Sequence, residues 1–154
     1  MDSNSLKILI SEIVKESKNL KDRYTDEINA PVNYVCIFSH SNEEYENFLI
    51  VSKQLGEIIK NTQTGLLFKI NPVDTVSGLV KLLKIRVPDE TRPERGDADF
   101  TVSDYFIFKQ KYLGKEYFSL IQRENMEMIE LYDKSINYRA YFSFPTLEKQ
   151  FSIN

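Results

Sequence analysis

Residues 83–102 read LKIRVPDETRPERGDADFTV. Their two ends have a different texture from their middle. Residues 79–87 form an apolar strand whose alternation changes phase between Leu82 and Leu83, which predicts a bulge or burial on both faces. Residues 97–102 alternate cleanly. Ala98, Phe100 and Val102 fall on one face, and Asp97, Asp99 and Thr101 on the other, the period-two signature of a half-buried strand. Between the strands, PDETRPERG at 88–96 is charged and holds two prolines, so it reads as a stiff loop. The string Arg95-Gly96-Asp97 inside this stretch carries no adhesive meaning in a cytoplasmic protein.

The segments on either side repeat an order rather than letters. Before the loop, residues 32–39 read as a strand after the Asn29-Ala30-Pro31 break. Ser41-Asn42-Glu43-Glu44 then forms a capping box. Tyr45, Phe48, Leu49, Leu55, Ile58 and Ile59 keep helical spacing to about residue 60. Residues 66–70 form a short strand stopped by Asn71-Pro72. After the loop, Ser103 caps a helix from 104 to about 113 that Gly114 closes. Strands at 117–122, 126–132 and 137–144 follow, and the tail from Thr146 reads as a helical turn or coil. Two βαββ(β) halves predict an α+β fold with one curved mixed sheet, helices on its outer face and a cavity on its inner face. Residues 5–23 add an amphipathic helix with Leu6, Leu9, Ile10, Ile13, Val14 and Leu20 on one stripe. Its mixed polar face predicts packing on the domain rather than on a membrane. The expected division is a helical extension at 1–30 and a single sheet domain at 31–154.

Composition narrows the chemistry. The 154 residues are 42% hydrophobic and 28% charged, the profile of one folded domain. Lys plus Arg number 20 against 23 Asp plus Glu, a net charge of −3 that argues against nucleic-acid binding. One Cys excludes an internal disulfide, and one His excludes a two-histidine iron triad. No secretory or transit pattern and no membrane-length apolar run is present, so the expected location is the cytoplasm. The glycines are isolated, so no glycine-rich nucleotide cradle is predicted. Cys36 and His40 lie about 13 Å apart along one strand and cannot form a dyad.

The order of elements resembles the glyoxalase/bleomycin-resistance/dioxygenase superfamily, the vicinal-oxygen-chelate fold, and within it the YecM-type branch. Residues 33–41, 67–70, 83–102 and 141–145 carry the likeness. In that superfamily facing strands offer His and Glu to a divalent metal. Here Tyr34 stands where the first His would be, Asp99 where a second ligand would be, and Ser143 or Phe144 near the last. The resemblance therefore implies the fold with the usual metal-ligand histidines missing. A bound metal would need oxygen ligands and would be Mg²⁺, Mn²⁺ or Ca²⁺.

Strand periodicity assigns the cavity face without that resemblance. Tyr34, Arg86, Arg139 and Tyr141 are the candidate ligand-binding residues, with the arginines placed to hold a carboxylate or phosphate. Asp97, Asp99 and Glu130 are the candidate catalytic carboxylates, and the same three are the candidate metal ligands. Asp97 and Asp99 are about 6.5–7 Å apart at Cα on one face, close enough to chelate one ion or to raise one another's pKa. Neutralisation of the pair by Arg86, Arg92 or Arg95 is the competing structural reading. Three functions stay open: a domain binding a small polar or anionic ligand, a hard-metal-dependent lyase or isomerase using Asp and Glu, and a homodimeric interaction module with a vestigial cavity.

Overall fold

Helix α1 (Ser3–Tyr24) starts on an Asp2 N-cap whose carboxylate accepts the Ser5 N–H at 2.8 Å. Leu6, Ile10, Ile13 and Val14 of its predicted stripe are wholly buried. Each such side chain contributes about 1.5–3 kcal/mol on leaving water. Lys21 is buried as well: its Nζ bonds the Asp22 carboxylate at 2.6 Å and lies 5.3 Å from the Phe100 ring centroid. The computed structural model describes residues 1–152; positions 153 and 154, the end of the tail, lie outside the described residues.

The remaining elements form an α+β fold around one curved, mixed eight-stranded sheet. In chain order they are β1 (Val32–Phe38), α2 (Asn42–Leu55), β2 (Gly56–Thr62), β3 (Gly65–Thr75) and β4 (Gly78–Arg86). Then come β5 (Gly96–Phe100), α3 (Tyr105–Tyr112), β6 (Phe118–Gln122), β7 (Glu127–Leu131), β8 (Tyr138–Phe144) and α4 (Leu147–Gln150). The strands lie in the order β2-β3-β4-β1-β5-β8-β7-β6. Each half is a βαβββ unit whose first and last strands pair in parallel, β1 with β4 and β5 with β8. The halves meet where β1 and β5 run antiparallel.

Three local expectations change. Helix α2 ends at Leu55, and residues 56–62 form an edge strand rather than more helix. Ile58 and Ile59 fit a helical stripe by spacing, yet Gly56 ends the helix and both side chains stay exposed on β2. The strand expected to stop at Asn71-Pro72 continues to Thr75, because β3 shifts register between Lys69 and Val73 and carries the proline through the irregularity. Leu82 and Leu83 are both fully buried, so the phase change in β4 reflects burial on two faces. Asp104, not Ser103, caps α3, accepting the Ile107 N–H at 3.1 Å. The Ser41 cap does form, its side chain accepting from Glu44 N, while Glu44 Oε1 reaches one residue beyond the cap to accept the His40 N–H at 2.8 Å.

Hairpin β2–β3 turns at Gly65, with φ 149°. A Cβ there would lie 2.0 Å from the Ile85 carbonyl oxygen, so the close pairing of β3 with β4 requires glycine.

Candidate functional site

The sheet's inner face is built by register. Cys36 on β1 pairs with Lys84 on one side and Asp97 on the other, and Asp97 pairs with Arg139. In the next row, Tyr34 pairs with Asp99, Asp99 with Tyr141, and Tyr141 with Glu130. Arg86 pairs with Phe38 at one end, and Met128 with Ser143 and Ile121 at the other. Two residues along a strand separate successive rows, so one pleat direction carries every one of these side chains inward. Ala98 and Phe100, the opposite face of β5, belong to the hydrophobic core.

A cavity of about 630 Å³ occupies this face. Of the seven residues expected there, Tyr34, Arg86, Asp97, Asp99 and Tyr141 line it. Glu130 and Arg139 are instead paired with each other. Arg139 Nη1 reaches Glu130 Oε2 at 3.1 Å, while its Nε and Nη2 reach Glu94 Oε1 at 3.2 and 2.8 Å. The Arg139 guanidinium also lies 3.8 Å from the Tyr132 ring centroid. Tyr141 donates its hydroxyl to the same Glu130 oxygen. Every Arg139 nitrogen is thus already partnered, which removes it from the set that a ligand could engage directly. Glu94, 97% removed from solvent, is a partner to which the strand pattern does not point.

Five other cations line the cavity, Lys60, Lys84, Arg86, Arg92 and Arg123, and the three that act on Asp97 have far weaker commitments than Arg139. Arg86 Nη2 reaches Asp89 only at 3.4 Å, and its buried Nε has no hydrogen-bond partner. Arg92 Nη1 donates to the Tyr141 hydroxyl at 3.2 Å. Lys84 Nζ donates to Thr64 Oγ1, and burial lowers its pKa. Phe38 sits beside both guanidiniums, 5.9 Å from Arg86 and 5.7 Å from Arg92 at its ring centroid. Arg95 turns away to form a two-pronged pair with Glu44 at 2.7 and 2.9 Å. Lys84 was detectable by its alternation with Arg86. Arg92 was visible only as a residue on a proline-stiffened loop.

The two aspartates are buried, and burial raises both to about 7. For Asp97 the opposing pull comes from Arg92, Lys84, Arg86 and Arg139 without a hydrogen bond to Oδ1. For Asp99 it comes from hydrogen bonds of Ser143 and Asn33. Tyr34 is pushed well above its ordinary value by burial and by the neighbouring Cys36 and Asp97. Burial likewise raises the Cys36 thiol to about 12, which makes it a buried hydrophobe rather than a nucleophile.

Among the described residues no three Asp, Glu, His or Cys side chains gather as a metal-ligand set. Glu130 is held by Arg139 and Tyr141, and Asp99 by Ser143. The carboxylates that a divalent metal would need are therefore held by other partners and do not fit one here.

No family profile matches the chain, and no curated protein matches it. Among solved structures it is similar to a structural-genomics protein designated EC4020, at 15% identity and a TM-score of 0.73, over 99% of this chain and 96% of that one. The likeness thus extends over α1 as well as the sheet, and at this identity it speaks for the fold. Among the described residues no helix is long and apolar enough to cross a membrane.

Proposed function

We propose that this protein binds a small anionic molecule in the concavity of its sheet. The observation that carries the reading is Arg86, whose buried Nε has no partner beside Arg92 and Lys84 in an open cavity. A buried donor without an acceptor costs about 1–3 kcal/mol, and an oxyanion supplies the acceptor. The test is thermal unfolding with a panel of simple carboxylates and phosphate, run on the native chain, Arg86→Met and Arg92→Met. Stabilisation of the native chain that falls away in both variants supports the site, because a ligand specific to the folded state raises Tm. No stabilisation by any anion, or equal stabilisation of all three proteins, overturns it.

A second reading rests on Asp97. Its Oδ1 is buried without a partner, and its pKa near 7 suits a group that takes and returns a proton at neutral pH. In this reading an arginine holds the substrate's anionic group while Asp97 removes a proton from an adjacent carbon and returns it. Exchange of that hydrogen for deuterium from solvent, lost in Asp97→Asn, is the expected result.

The segments at 33–41, 67–70, 83–102 and 141–145, together with the paired βαβββ units, support placing the chain in the YecM-type branch of the vicinal-oxygen-chelate superfamily. The lone thiol, buried at Cys36, is compatible with a reducing cytoplasm.

A further inference from the structure

The two ends of the cavity differ in character, and the difference specifies the ligand more narrowly. Lys84, Arg86 and Arg92 occupy one end. Away from them, Ile121, Met126 and Met128 line the cavity with Leu147 and Phe151 of the C-terminal segment, a mainly apolar wall that Lys60 and Arg123 flank. The gradient follows the register. Along β8, Arg139, Tyr141 and Ser143 mark three successive rows, and Ser143 pairs with Met128. Four residues of strand separate the first row from the last, about 13 Å. Helix α4 follows β8, and the Phe151 ring next to it lies 5.4 Å from Lys60 Nζ at its centroid. The C-terminal segment thus adds the apolar surface of Leu147 and Phe151 to the cavity wall.

Resting on the anion-binding reading above, we propose that the ligand is an amphiphilic carboxylate. Its carboxylate is held between Arg86 and Arg92, and an apolar chain or ring lies against Met128, Ile121 and Phe151. A carboxylate fits better than a phosphate. The cavity offers planar guanidinium donors that match two coplanar oxygens. It has no glycine-rich turn to supply the backbone N–H groups with which proteins cradle phosphate. Two methionines at the apolar end give a wall that adapts to tails of different shape. A cavity of about 630 Å³ lies within the usual range for sites that enclose a small organic molecule.

The test is calorimetric titration of the full chain with acetate, butyrate, hexanoate and octanoate, beside inorganic phosphate and uncharged octanol. Affinity is expected to rise about three- to fourfold per methylene along the acid series. Arg86→Met should abolish binding of every acid, whereas Arg86→Lys should retain part of it. Met128→Ser should flatten the dependence on chain length and leave acetate unchanged. If acetate, phosphate and octanoate bind equally, the amphiphile inference falls and the anion site stands. If octanol matches octanoate and Arg86→Met changes neither, both readings fall. If no acid binds, both fall as well. Circular dichroism of each variant separates lost binding from lost folding, and the Arg86→Lys arm decides the matter should Arg86→Met not fold.

Discussion

Two arginines from opposite halves of the sheet point to its inner face, and their surroundings are opposites. Arg139 on β8 is 94% removed from solvent, with all three guanidinium nitrogens bound by Glu94 and Glu130 and Tyr132 beside its plane. Arg86 on β4 has one long contact to Asp89, an unpartnered Nε and a cavity in front of it. A saturated buried ion pair is a structural device: breaking it leaves charge stranded. An arginine that keeps an open donor beside a cavity is available to a ligand. The contrast separates scaffold from site on a face where residue type alone does not.

Removing Arg139 is the strongest way to break this contrast. Arg139→Ala strands Glu94 and Glu130, and urea unfolding should register a loss of about 3–5 kcal/mol. A loss no larger than that of Arg86→Met would mean that the two arginines do the same job. Next in size is Asp99→Asn. The folded chain holds a proton on Asp99 up to about pH 7, whereas the unfolded chain releases it near the ordinary value of 3.8. Between these values the native state binds more protons than the unfolded state, so stability falls as pH rises through the window and levels off above it. Asp99→Asn should therefore gain up to about 4 kcal/mol over the native chain at pH 8 and less than about 1 kcal/mol at pH 4, read as the difference between two pH series of Tm. A gain independent of pH would place the effect elsewhere.

Smaller effects sharpen the comparison. Glu44→Gln disrupts the half-exposed pair with Arg95 and one capping hydrogen bond, and should cost about 1 kcal/mol, less in high salt. Arg86→Met should cost the unliganded chain no stability and should return up to about 1 kcal/mol, since its ion pair is long and the change removes a buried donor that has no acceptor. Equilibrium unfolding in the absence of ligand measures both. A large loss for Arg86→Met would make Arg86 scaffold and weaken the case for a site.

Much of the candidate site was legible in the primary structure, and for a local reason. The alternation at 97–102 needs only the pleat of one strand to place Asp97 and Asp99 opposite Ala98 and Phe100. Arg86, Tyr34 and Tyr141 follow from the same period. The fate of Arg139 did not follow, because its partner Glu94 lies in the loop before β5, 45 residues away. Edge strand β2 was hidden for a different reason: Ile58 and Ile59 satisfy a helical stripe by spacing, and only their exposure next to β3 shows that they bury nothing against a core.

By itself the amino-acid sequence determined the α1 stripe, the Ser41–Glu44 cap, the repeated order of strand, helix and strands, and the faces of the residues along β1, β5 and β8. These depend on neighbours within a few positions, where helix and strand periods act directly. Only the tertiary structure decided which charges neutralise one another, which stay open to the cavity, and that the C-terminal turn lines that cavity. Those outcomes depend on register between distant strands and on the desolvation it imposes, and neither quantity is carried by any short stretch of chain.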